Sequence, residues 1–82
     1  GEGVDTQSIL QFCKERNVEI YIRYDDFLDC LVIRVRRKQN IIERGISRFD
    51  VSNLAFGPTI LIILRSMADE LDRAEKHEAK EV

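Results

Sequence analysis

The sequence predicts an α+β domain of two layers, α-β-β-β-α: a three-stranded antiparallel meander packed against a long C-terminal helix and a short N-terminal helix. Three patterns carry that prediction. Apolar residues recur at helical spacing near the start of the chain, at Ile9, Phe12 and Cys13. Two segments then alternate with a period of two, over 18–24 and 31–37. After Gly57-Pro58 a long stretch returns to helical spacing. Period 3.6 and period 2 are the signatures of an amphipathic helix and of a half-buried strand. Their order admits few arrangements, of which helices on one face of a meander is the most economical.

The first helix is expected over 6–16, with Asp5 and Thr6 as capping residues. Lys14 and Arg16 suit the negative end of the helix dipole. Asn17 is suited to the left-handed conformation that closes a helix. In the first strand Val18, Ile20, Ile22 and Tyr24 share one face and Glu19, Tyr21 and Arg23 the other. Asp25, Asp26 and Asp29 mark the following turn. In the second strand Leu31, Ile33 and Val35 point one way, and Val32, Arg34 and Arg36 the other. Lys38-Gln39-Asn40 forms a second turn. A third strand follows over 41–49, with Gly45 marking a bulge. Residues 50–54 carry capping side chains and suggest one helical turn. The last helix runs over 58–78, with Pro58 at its first position. Its apolar face is Ile60, Leu61, Ile63, Leu64, Met67, Ala68 and Leu71. Asp69–Arg73 and Asp72–Lys76 stand as i,i+4 pairs along it. The whole chain reads as one domain, with residues 1–4 and 79–82 expected to be flexible.

Eighty-two residues support one thin core. An apolar fraction of 44% is that of a folded chain. The net charge of −2 argues against a protein that coats nucleic acid. The charge is unevenly spread, however. Residues 18–49 hold seven cations and five acids, residues 50–82 four cations and seven acids. Cys13 and Cys30 lie in apolar surroundings and read as reduced, buried thiols of a cytoplasmic protein. No segment reads as a secretory signal. The longest apolar run, Ile60 to Leu64, is five residues, against about 20 for a membrane-spanning helix.

Groups able to do chemistry are sparse. The acidic turn Asp25-Asp26-Phe27-Leu28-Asp29 lacks the glycine and the twelfth-position glutamate of a calcium loop. Acids there favour a turn because they bond nearby backbone. His77, the one histidine, lies among Glu75, Lys76 and Glu78 and reads as a solvated helix-end residue. One histidine and two cysteines in apolar settings make neither a zinc site nor a Cys–His nucleophile pair. Ser47, Ser52 and Ser66 have no base nearby in sequence, and Gly45 and Gly57 form no phosphate loop. The reading is a non-enzymatic chain with no cofactor and no metal.

Two surfaces stand above this background. The first is a cationic sheet face of Tyr21, Arg23, Arg34 and Arg36, joined by Arg44 or Arg48, able to stack bases and hold phosphates. The plainer reading, and the preferred one, is a solvated face balanced by cross-strand acids such as Glu19 and Glu43. Val32 in its middle favours contact with a protein over phosphate. The second is the last helix. Five consecutive apolar residues cannot all face one thin sheet. The surplus calls for cover from the N-terminal helix or from a second copy of the chain, with Ile60, Ile63 and Met67 as the candidate dimer interface. The expected partner is thus a second copy or another protein, with nucleic acid as the alternative and no membrane.

The α-β-β-β-α order resembles the double-stranded-RNA-binding domain. In that family a basic cluster opens the last helix; here the corresponding segment reads Phe56-Gly57-Pro58-Thr59-Ile60-Leu61, with no cation before Arg65, so the resemblance implies no RNA binding. Ile9-Leu10-Gln11-Phe12-Cys13-Lys14-Glu15-Arg16-Asn17-Val18, Tyr21-Ile22-Arg23-Tyr24-Asp25-Asp26 and Gly45-Ile46-Ser47-Arg48-Phe49-Asp50 together resemble small proteins encoded in phages and prophages of Gram-positive bacteria. That resemblance implies a cytosolic accessory protein and supplies no site residues.

Overall fold

The computed structural model describes residues 6–47 and 56–81. Helix α1 (Thr6–Arg16) leads into strands β1 (Glu19–Asp25), β2 (Cys30–Arg37) and β3 (Asn40–Ser47), and helix α2 (Phe56–Glu81) closes the chain. The strands form an antiparallel sheet in the order β1-β2-β3. The α+β class and the meander are as the sequence predicts. The suggested helical turn at 50–54, the residues Arg48 and Phe49 at the end of the expected third strand, and the expected flexible ends at 1–4 and Val82 lie outside the described residues. Residues 79–81 are helical.

Local chemistry sets the element ends. Asn17 takes φ 55°, and the Val18 N–H donates to the Cys13 carbonyl at 3.1 Å. This is the six-to-one bond of a Schellman close. It turns the chain sharply into β1 and delivers Val18 and Phe12 to the same buried cluster. At the β1–β2 turn Asp25 Oδ1 accepts from the Leu28 N–H at 3.0 Å, and Tyr24 donates its hydroxyl to Asp29 at 2.6 Å. The acids therefore build the turn, as expected of them. The β2–β3 turn is Lys38-Gln39, with Lys38 at φ 55°. Helix α2 begins two residues before Pro58, which falls inside the first turn, where no intrahelical N–H bond is lost.

One register governs the sheet. Ile22 lies opposite Ile33, Ile20 opposite Val35, Val35 opposite Ile42 and Leu31 opposite Ile46. These residues face the helices. Ile33, Val35, Leu64, Met67 and Leu71 are fully buried, joined by Phe12, Val18, Ile46, Ile60 and Ala68. Burying each large apolar side chain contributes about 1.5–3 kcal/mol. The pairing of β2 with β3 runs unbroken through Val32 and Gly45. The bulge expected at Gly45 is therefore absent. Its φ is not positive, and a Cβ there would meet Cys30 Sγ at an ordinary 3.5 Å. Nothing in the described structure explains the glycine.

Candidate interaction surfaces

The five apolar residues that open α2 divide themselves around the helix. Ile60 and Leu64 enter the core, Leu61 and Ile63 pack at its margins, and Ile62 faces outward with 65% of its surface exposed. Leu61 lines a groove with Ser8, Phe12 and Arg65, so α1 covers part of the surplus. Of the three expected dimer contacts, Ile60 and Met67 are buried within the chain itself and only Ile63 is half-buried. The helical stripe they belong to points at the sheet, so the candidate interface through Ile60 and Met67 is corrected: these two are core residues.

The open face of the sheet carries Glu19, Tyr21, Arg23 and Asp25 on β1, Arg34 and Arg36 on β2, and Glu43 on β3. Each arginine there holds a carboxylate. Arg34 Nε donates to Glu43 at 2.7 Å and Arg36 to both oxygens of Glu19 at 2.7 and 2.9 Å. Arg23 reaches Asp25 at 3.3 Å. Among the described residues of these strands three cations meet three acids on this face, and their charges balance. Hydrogen bonding to Glu19 raises the pKa of Arg36. The Leu28 N–H, with help from Arg23, holds the Asp25 carboxyl below its ordinary value. Tyr21 stands exposed beside a shallow recess lined by Arg23, Val32, Arg34 and Glu43. Val32 forms the floor of that recess and is buried by its neighbours, so it is not offered to a partner as the alternation suggests.

Arg44 does not belong to this face. It lies opposite Ile33 on the helix side of the sheet and donates to Glu70 of α2 at 2.6 Å. Two-residue periodicity puts residue 44 on the side of residues 42 and 46, a parity the sequence itself contains. Arg48 lies outside the described residues.

A second ionic cluster joins α1, β2 and α2. Arg16 donates to Asp69 at 2.9 Å and Asp72 at 2.8 Å. Arg37 donates to Asp72 at 2.6 Å, to Glu75 at 3.3 Å and to the carbonyls of Arg16 and Asn17. Asn40 reaches Glu75 at 3.4 Å. The Arg16 guanidinium also lies 6.0 Å from the Phe12 ring centroid, within cation–π range. The hydrogen bond from Arg37, reinforced by Arg16, holds the Asp72 carboxyl below its ordinary value. Asp69 and Asp72, expected to pair with Arg73 and Lys76 along the helix, bond instead across the fold. A guanidinium presents several donors in a rigid fork and can bridge two elements at once. Among the described residues no buried side-chain polar atom lacks a partner. Cys13 and Cys30 are free thiols, each half-buried, and burial pushes Cys13 up. His77 is exposed on α2.

The surface that sequence reasoning missed lies on β1 and its turn. Ile22 and Tyr24 share the helix-facing side of the sheet with Ile33 and Val35, yet 41% and 56% of their surfaces are exposed. The long helix does not cover Ile22, because α2 packs on β3 and β2 and leaves the outer part of β1 bare. Phe27 and Leu28 at the tip of the turn are exposed by 91% and 64%. A signal was present: an apolar pair set between acids in a turn, where no core is available to it.

No helix among the described residues is long and apolar enough to cross a membrane. Compared with known proteins, the chain matches no protein-family model, no curated protein and no solved structure.

Proposed function

We propose that this chain is a non-enzymatic interaction module of the cytoplasm that acts as a homodimer. The observation that carries the reading is the exposed apolar group at one end of the β1–β2 hairpin: Ile22, Tyr24, Phe27 and Leu28. Scattered surface hydrophobes are ordinary, whereas large apolar side chains gathered on one element mark a contact surface. The resemblance to phage-encoded accessory proteins fits a small module of this kind. Sedimentation equilibrium from low to high micromolar concentration tests the reading. The expected result is a mass rising from 9.6 kDa toward twice that value, and a mass fixed at the monomer throughout would remove the dimer.

The second reading is nucleic-acid binding through the open face. It rests on exposed Tyr21 beside Arg23 and Arg34. Each arginine would have to exchange a carboxylate for a phosphate, which makes this the lesser reading. Fluorescence anisotropy with single- and double-stranded DNA and RNA at low salt decides it. The expected result is no saturable binding. Binding that falls steeply with salt and is lost in Arg34→Ala would move the site to this face.

A further inference from the structure

The strand β1 is an outer strand of the sheet, bonded to β2 on one side only, and its helix-facing side is bare from Ile22 outward. In its sequence, Glu19-Ile20-Tyr21-Ile22-Arg23-Tyr24-Asp25, the positions flanking Ile22 are matched in kind on the helix-facing side (Ile20 and Tyr24, both largely apolar) and complementary on the open side (Tyr21 and Arg23), with an acid at each end. An antiparallel pairing of two identical strands about a two-fold axis preserves faces and sets each residue opposite its mirror position.

Resting on the interaction-module reading, we propose that the occupant of this edge is a second copy of the chain. The two β1 strands pair antiparallel about a two-fold axis through Ile22 and join the sheets into one of six strands. In that register Ile22 faces Ile22 of the second copy. Ile20 faces Tyr24 of the second copy, and Tyr24 its Ile20. The helix side of the junction is then apolar along its length, and Ile22 and Tyr24 gain the cover that α2 does not supply. On the open side Tyr21 faces Arg23 of the second copy, and Arg23 its Tyr21, a guanidinium beside an aromatic ring on each side of the axis. The outermost pair, Glu19 and Asp25, would repel, but each carboxylate already has a partner: Arg36 for Glu19, Arg23 and the Leu28 N–H for Asp25. The register centred on Tyr21 pairs only residues 19–23 of the strand and places Tyr24 against Val18, which is already buried. The register centred on Arg23 sets two arginines face to face.

Single cysteines test the axis directly, in a chain whose Cys13 and Cys30 are replaced by serine. Residues opposite each other across an antiparallel pair lie about 4.5–5.5 Å apart between Cα atoms, within disulfide reach. Residues displaced by two positions from the axis lie about 13 Å from their own copies, at about 3.3 Å per residue. Under mild oxidation Ile22→Cys is expected to form a covalent dimer, and Ile20→Cys and Tyr24→Cys to remain monomeric chains. Independently, and with the native cysteines in place, Ile22→Lys is expected to weaken association about 100-fold, since symmetry counts the lost contact and the new repulsion twice. Ile22 is partly exposed, so circular dichroism should show the fold intact. A dimer that persists in Ile22→Lys and bridges at none of these positions overturns the β1 pairing while leaving the interaction module standing. A chain that stays monomeric at every concentration overturns both.

Discussion

The two outer strands of the sheet, β1 and β3, have similar lengths and similar alternation but opposite fates. The helix-facing side of β3 lies beneath α2. Ile42 and Ile46 pack against the core, Arg44 is held by Glu70, and Asn40 by Glu75. On β1 only Ile20 packs against the core, while Ile22 and Tyr24 remain exposed. The centre of β3 also carries charge. Self-pairing about Glu43 or Arg44 would oppose like charges, a recognised protection of free strand edges. The centre of β1 is an isoleucine flanked by a tyrosine and an arginine. One outer strand is thus covered and charged at its centre, the other bare and apolar there. An alternating strand acquires a core face only where another element lies over it.

Substitutions on the two strands and beneath them test this contrast. The largest effect belongs to the covered side. Met67→Ala removes a fully buried side chain beneath the sheet and should cost about 2–5 kcal/mol in urea unfolding. The loss should be the same at low and high protein concentration, unlike that of any residue at a dimer contact. Next is Arg37→Ala, which strips donors from Asp72, Glu75 and two backbone carbonyls. The side chain is only 13% exposed, and a loss of about 2–3 kcal/mol is expected. Arg37→Lys should recover part of it, because an ammonium cannot reproduce the fork.

Acid should weaken the same cluster by a smaller amount. The folded-state pKa of Asp72 is lowered by Arg37 and then Arg16, below an unfolded value of about 3.9. Its contribution to stability is therefore present above the unfolded value, in full from about pH 5 upward, and is lost as the pH falls through the depressed folded value. Urea titrations at pH 7, 4 and 2.5 should show the fall below pH 4, and Asp72→Asn should flatten it. Arg34→Ala on the open face should cost no more than about 1 kcal/mol, since both partners of its ion pair are well exposed. Smallest and opposite in sign is Gly45→Ala on β3. The added methyl meets only an ordinary contact at Cys30, and reduced freedom of the unfolded chain should raise stability by about 0.5 kcal/mol, read as a higher urea midpoint.

Much of the fold was legible in particular residues. Asn17 announced its left-handed turn, and the alternation of Leu31, Ile33 and Val35 announced a buried strand face. The acids of the β1–β2 turn announced their own backbone bonds. The pairing of Arg34 with Glu43 and Arg36 with Glu19 was foreseeable from alternation plus a short turn. The candidate interaction surface was less legible. Ile22 and Ile33 look alike in a strand pattern, and Met67 and Ile63 look alike on a helix. Asp69 and Asp72 have partners of equal merit along their own helix. Which partner wins depends on where Arg16 arrives from, 53 residues away in the chain.

Local pattern thus fixes the elements, their order and the alternation of each strand, with ends shifted by one to three residues, because these follow from interactions among residues a few positions apart. The lateral placement of α2 over β2 and β3 is a property of the assembled fold. That placement makes Met67 core, sets Glu70 within reach of Arg44 and leaves Ile22 and Tyr24 in solvent. The physical reason is that a helix can settle over any pair of strands offering the same alternation. The choice is made by the sum of side-chain packing and long-range ion pairs across the whole fold, and no local pattern records that sum.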